Sequence, residues 1–315
     1  MSARGPATRF VHHWSDHGFF SELNYMFLAI LHCRLRGTRF VLLSKYAPVF
    51  HTDGWRDFFE PFCPEVDSWA LHLLDSRPLA SEGGVTARLR GLDRRLRRLL
   101  LTKIVRPLFY PHIEVVSENW HALRTMRQQT AFTLSVDGVQ RRCGLRQVLA
   151  VINREVWRYN VETAAAISAS VVKLALPTPY AALHIRRGDK WDEADPVDEL
   201  TYVERLEAVT SLQDVYVATD DHRCVEAVCR LRPRWRVFAL CPPTARGYYP
   251  RDFDSQPAEE RGRRTLLLLT ETEIMKGADV FVGTFSSGIG TYQAIARDRN
   301  TYGVDFDEWL FEGGL

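Results

Sequence analysis

Three short strings of this chain carry the residue types that bind or move charged groups. AALHI is followed by Arg186, Arg187, Gly188, Asp189 and Lys190, with Glu193 and Asp195 close behind. DVYVA runs into Thr219, Asp220 and Asp221, and DVFVG runs into Thr284, Phe285, Ser286, Ser287 and Gly288. A guanidinium presents two donors in one plane, which matches the oxygens of a phosphate. A small-residue turn that opens a helix offers backbone N–H groups and hydroxyls to the same kind of anion. An ion-paired loop accounts for the first string alone. Three strings at successive strand ends point instead to an anionic ligand, with Asp189 steadying a guanidinium. Lys190 either tunes a neighbouring carboxylate, contacts phosphate or forms a surface ion pair. Asp220 and Asp221 lack the spacing of a DxD metal motif, and an arginine-rich phosphate site needs no ion, so no metal is expected.

These residues need a scaffold to bring them together. In the second half AALHI, DVYVATD (214–220), WRVFAL (235–240) and DVFVG (279–283) read as strands. LTYVERLEAV, HRCVEAVCRL, RTLLLLTETEIMKG and SGIGTYQAIAR read as the helices between them. Nearly continuous apolar strands alternating with helices predict an α/β fold, a parallel sheet covered on both faces. Such sheets bind ligands beyond their C-terminal strand ends, at helix N-termini. The first half is less regular. It predicts a helix from Ser21 (as N-cap) to Gly37, a strand over 38–45 and a short aromatic helix over 54–62. A strand over 113–119 and a long alanine-rich helix within 145–176 follow. LPTP (176–179) breaks the pattern and marks the expected domain boundary. GYYPRDFDSQPAEERGRR, around Asp252–Asp254, reads as a mobile loop able to close over a ligand.

The 315 residues, 46% hydrophobic and 25% charged with net charge +2, fit a globular chain of two domains and argue against a dedicated nucleic-acid binder. The first residues lack the apolar run of a signal peptide, and no window predicts a membrane span. The six cysteines show no CxxC spacing and read as free structural thiols in a reducing compartment. Residues 86–106 carry eight basic residues against one acid, with leucines at helical spacing. That segment is either a surface helix with a solvated basic face or a peripheral contact with anionic lipid. His12, His13 and His17 crowd one turn without metal-ligand spacing, and Trp55, Phe58 and Phe59 read as core.

HIRRGDK at 184–190, YVATDD at 216–221 and ADVFVGTFSSGIGTYQAI at 278–295 resemble, in order and spacing, HVRRTDK, YLATDD and ADFLVCTFSS. Those are the strings of the α1,6-fucosyltransferase family, which includes core and rhizobial nodulation fucosyltransferases. GFFSELNYMFLAILHCRLRGTRFVLLS with DGWRDFFEPF resembles its N-terminal half. The likeness covers most of 12–300 and is weak over 65–175.

The resemblance implies a GT-B-like fold, two Rossmann-type domains facing across a cleft. Residues 1–176 would form the N-terminal, acceptor-side domain and 177–315 the GDP-sugar-binding domain. It implies inverting, metal-independent transfer of L-fucose from GDP-fucose to an oligosaccharide or glycolipid hydroxyl, giving an α-fucoside, α1,6-linked in the family. A transferase using another GDP-sugar, or a silent GDP-sugar binder, stands as the alternative. By position Arg186 resembles the arginine on the β-phosphate, with Arg187 supporting the donor. His184 and Glu271 resemble the guanine-recognising pair, glutamate replacing the family's aspartate. Ser287 resembles the phosphate-contacting serine, within the donor segment Thr284–Ser287, and Asp220 with Asp221 the pair closing the nucleotide pocket. Gly18 and Phe19 belong to the N-terminal donor turn, whose second family glycine is here Phe20. The family's catalytic glutamate aligns with Ala194, leaving Glu193 or Asp195 as the base. The expected setting is the cytoplasm, with contact to the inner membrane face through 86–106 as an alternative.

Overall fold

The computed structural model describes residues 9–75, 96, 99–110, 112–126, 131–136, 139–188, 197–306, 309 and 311. Two compact units divide the chain, Met1–Arg158 and Tyr159–Leu315.

In the first unit β1 (Arg9–His13) lies between β2 (Arg39–Leu43) and β3 (Ile113–Val115) in a parallel sheet. Helix α1 (Phe19–Arg36) joins β1 to β2 and is buried along most of its length down to Cys33. Helices apolar on every side are core helices. It starts before the expected Ser21, with Gly18 at the N-cap, because Phe19 and Phe20 are drawn into an aromatic core. There Phe19 meets Trp14, Phe50 and Phe59, and Phe20 stacks on Trp157. Its end is as expected, with Gly37 left-handed at φ 65. The aromatic segment at 54–62 supplies only a 3-10 turn, Gly54–Asp57, with Trp55 fully buried and stacked 4.1 Å from Phe59.

Helices α2 (Trp69–Asp75) and α3 (Arg106–Phe109) precede β3. The strand expected over 113–119 ends at Val115, where α4 (Val116–Met126) begins. An antiparallel hairpin, β4 (Phe132–Val136) and β5 (Val139–Cys143), follows, then α5 (Leu145–Val156). Most of the basic segment 86–106 lies outside the described residues. Among those described, no helix is long and apolar enough to cross a membrane.

The helix expected within 145–176 is two helices, because Asn160 caps a second start: its Oδ1 accepts from the Thr163 amide at 2.9 Å. That second helix, α6 (Val161–Leu174), packs with the carboxyl half. Tyr159 donates to Glu273 Oε1 at 3.0 Å, and Leu174 joins the cluster around Tyr180 and Ile274. The compact units therefore part between Arg158 and Tyr159, upstream of the expected division at 176.

The second unit holds five parallel strands in the order β10-β9-β6-β7-β8. They are β6 (Ala181–Ile185), β7 (Asp214–Thr219), β8 (Arg236–Phe238), β9 (Val280–Gly283) and β10 (Thr301–Gly303). Strand alternation sends Ala181, Leu183 and Ile185 to one face, under α7 (Glu199–Val209) and α8 (His222–Leu231). Ala182 faces the other side with Tyr216 and Ala218, against α10 (Ala258–Gly277). The segment expected as a mobile loop folds into α9 (Pro250–Asp254) and the first turns of α10, with Phe253 buried. α11 (Gly288–Ala296) joins β9 to β10. Buried Arg297 ties the far end of α10, donating to the carbonyls of Met275, Lys276 and Ala278 at 2.6, 2.8 and 2.7 Å. All six cysteines are free.

Candidate functional site

Strand order reverses between β6 and β9: the chain walks from β6 to β8 on one side and returns to place β9 on the other. The crevice outside the C-terminal ends of these two strands is where doubly wound sheets bind ligands. The loops leaving β6 and β9 are the Arg186 and Ser287 segments.

Beyond β6, Asp220 organises the loop. One of its oxygens accepts from the Arg187 amide at 2.8 Å, the other from the Tyr248 amide at 2.9 Å and from the Arg186 guanidinium. That guanidinium also lies 5.0 Å from the centre of the Tyr248 ring. Gly188 makes this closure possible, since its φ is +65 and a Cβ there would sit 2.3 Å from the Tyr248 carbonyl oxygen. Asp220 therefore acts as a clamp on Arg186 and on two loops.

Arg187 goes elsewhere. Alternation continues past β6, so His184 and Arg186 share the α10 side while Arg187 turns to the α7 side. Its guanidinium donates to Glu199 Oε1 at 2.6 Å, with side chains only 12% and 24% exposed. Asp221 is likewise occupied: it caps α8 through the Arg223 amide at 3.0 Å and pairs with the Arg223 side chain. The expected adjacent pairs Arg186-Arg187 and Asp220-Asp221 thus split, one member at the crevice and one in the scaffold.

Beyond β9, Ser287 caps α11, accepting from the Gly290 amide at 2.9 Å and donating to the Thr284 carbonyl at 2.9 Å. A Cβ on Gly290 would fall 1.8 Å from that carbonyl oxygen, so only glycine lets the turn close. The Phe285 ring is buried and packs against Gly303. The amides of Phe285 and Ser286 are held by Asp305, at 2.7 and 2.9 Å. No motif announces Asp305, which arrives from beyond β10.

A third group gathers on the α10 side. His184 is buried, its Nδ1 has no hydrogen-bond partner among the described residues, and burial pushes its pKa down to about 4. Glu271 of α10 accepts from the Tyr216 hydroxyl at 3.2 Å, and burial pushes its carboxyl up to about 8. Asp220 adds to that rise. An uncharged imidazole, a phenol and a readily protonated carboxyl form a polar but weakly charged surface, suited to the edge of a neutral base.

Asp189, Lys190, Glu193 and Asp195 lie outside the described residues. In the first unit Gly18 has open space where a side chain would stand, whereas Phe19 and Phe20 are buried in the aromatic core. Among the described residues, no group of three or more His, Cys, Asp or Glu side chains is placed to hold a metal ion.

No protein-family model matches the chain, and no curated protein matches it. Solved structures do. NodZ alpha-1,6-fucosyltransferase soaked with GDP-fucose superposes with a TM-score of 0.55 at 14% identity, covering 93% of both chains. POFUT1 in complex with GDP-fucose gives 0.51 at 12% identity, covering 96% of this chain and 99% of that one. A mutant of Arabidopsis thaliana FUT1 in complex with GDP gives 0.51 at 9% identity, over 96% and 73%. The chain has the fold of the GT-B fucosyltransferases. Within that fucosyltransferase fold, the structure gathers His184, Arg186, Asp220 and Glu271 on the α10 side of one sheet and Thr284–Ser287 at the neighbouring strand end. It commits Arg187, Asp221 and Phe285 to the surrounding framework.

Proposed function

We propose that this chain is an inverting, metal-independent fucosyltransferase, moving L-fucose from GDP-fucose to a hydroxyl of an oligosaccharide or glycolipid acceptor. The observation that carries this reading is a clamped arginine at the switch point, with a guanine-compatible pair on the same side of the sheet. Arg186 would bind the departing diphosphate, where a cation stabilises charge as it develops. Asp220 keeps it extended over the Tyr248 ring beforehand, so little reorganisation is needed on binding. Glu271, once ionised, would accept from N1–H and N2–H₂ of guanine, and His184 lies beside the same base. Relatives with this fold carry GDP-fucose or GDP in their solved structures, which supports that donor.

In the reaction an acceptor oxygen attacks the anomeric carbon, the bond to the β-phosphate oxygen breaks, and GDP leaves with the electron pair. The acceptor proton goes to a carboxylate, and Glu193 and Asp195 are the candidates that the sequence offers. Radiolabelled transfer from a panel of GDP-sugars to glycan acceptors, with and without chelator, tests this reading. Fucose-dependent product formation that persists in chelator supports it. Transfer of another sugar, or a metal requirement, would correct the donor or the mechanism, and nucleotide binding without turnover would leave a silent binder.

A further inference from the structure

We propose that Arg264, a residue outside every motif, supplies the second guanidinium that grips the donor's diphosphate. This rests on the donor reading above, in which a diphosphate binds at the β6 exit beside Arg186. The sequence expectation gave that task to Arg187, but Arg187 is turned to the α7 side and paired with Glu199.

Arg264 stands on the side that Arg187 leaves. Helix α10 runs against the strands: its last turn meets the start of β6, where the Tyr180 hydroxyl donates to the Ile274 carbonyl at 2.7 Å. Its first turns therefore lie at the C-terminal edge of the sheet, and Arg264 is in them. The half-buried guanidinium of Arg264 lies 6.0 Å from the centre of the Tyr248 ring and 5.4 Å from that of Phe253. Arg186 lies 5.0 Å from the same Tyr248 ring. Two cations thus converge on one aromatic side chain. Glu271, on the base-facing group, is two turns further along the same face of α10.

Charge pairing separates Arg264 from its neighbours. Arg186 has Asp220, Arg187 has Glu199 and Arg263 has Glu260. Among the described residues Arg264 has no carboxylate partner, only the two rings. Asp220 already offsets Arg186, whereas the charge of Arg264 meets only the two rings, and a diphosphate has oxygens enough for both guanidiniums. A purely structural role, an arginine stem and cation covering aromatic surface, is the competing explanation.

Calorimetric titration with GDP and GMP separates the two. Arg264→Met keeps the apolar stem and removes the charge, and Arg264→Lys keeps the charge without the planar fork. The expected result is a loss of about 10- to 100-fold in GDP affinity for Arg264→Met, as for one charge-assisted hydrogen-bonding group. Arg264→Lys should lose less, and GMP affinity should change by under about threefold in both, because the β-phosphate is absent. Equal loss for GDP and GMP, or no loss in either, would overturn the proposal while leaving the donor reading standing. Wild-type protein that binds neither nucleotide overturns both together.

Discussion

The two loops at the switch point use different chemistry. At the β6 exit, charge is carried by side chains on a framework tied together by Asp220. At the β9 exit, the recognisable features are hydroxyls and backbone amides, and two of those amides are already held by Asp305. The first loop presents a cation that an incoming anion can share. The second is a turn whose shape is fixed internally, so its contribution to a ligand falls to the start of α11 rather than to the Phe285 and Ser286 amides. Diphosphate affinity should therefore depend far more on the β6 side than on the β9 side.

Removing the Arg186 charge is the strongest challenge to that asymmetry. Arg186→Ala should weaken GDP binding by at least about 100-fold in calorimetry, since a charge-assisted contact is lost and Asp220 is left without its cation. A loss of only a few-fold would shift the weight to the β9 loop.

The pH dependence sharpens the role of the group beside Arg186. The Glu271 carboxyl is raised to about 8, so it is mostly protonated at neutral pH and ionised above that value. The proposed two-oxygen contact to guanine N1–H and N2–H₂ uses the ionised carboxylate, because the protonated form turns one of its oxygens into a donor, so binding must expel the proton when pH lies below 8. GDP affinity should rise about 15-fold in all from pH 6.5 to 8, most steeply at the lower end, and level off above 8. Starting near 6.5 keeps the second phosphate ionisation, near pH ~6, from dominating. In Glu271→Gln the slope should vanish; a slope that persists assigns the proton to another group.

Smaller effects are expected from the supporting residues. Asp305→Ala frees two amides and should cost about 2 kcal/mol of stability. It should lower GDP affinity by about fivefold, read by thermal melting and titration, because the loop loses its fixed shape. Arg187→Met should alter GDP affinity by less than about threefold. It should lower the melting temperature clearly, since Glu199 would be left partly buried without its cation. A large affinity loss in Arg187→Met would restore Arg187 to the donor site.

Much of this arrangement was legible because strand ends announce themselves. Apolar runs such as AALHI and DVYVA bury on both faces, and the polar residues that follow must sit at the sheet's edge. The division between Arg186 and Arg187 was legible too, through the two-residue alternation that continues past Ile185, but string matching treats the pair as a unit. The individual places of Asp305, Tyr248 and Arg264 were not legible, although Tyr248 and Arg264 fall in the 247–264 segment read as able to close over a ligand. Each reaches the site through tertiary closure, Tyr248 through the Gly188 approach and Arg264 through the direction of α10, and no local pattern encodes that. The β4–β5 hairpin and the break at Asn160 were missed for a different reason. Short polar-rich strands and a cap inside an alanine-rich run carry weak periodicity against the stronger helical signal around them.

The central claim is that a guanosine diphosphate is held at the β6 exit by guanidiniums rather than by a metal. Titrating the wild-type protein with GDP in the presence of EDTA, with UDP run alongside, tests it most directly. One-to-one GDP binding with the same affinity with and without EDTA, and at least about tenfold weaker binding of UDP, is the predicted result. GDP binding that disappears with EDTA, or UDP binding as tight as GDP, would contradict it.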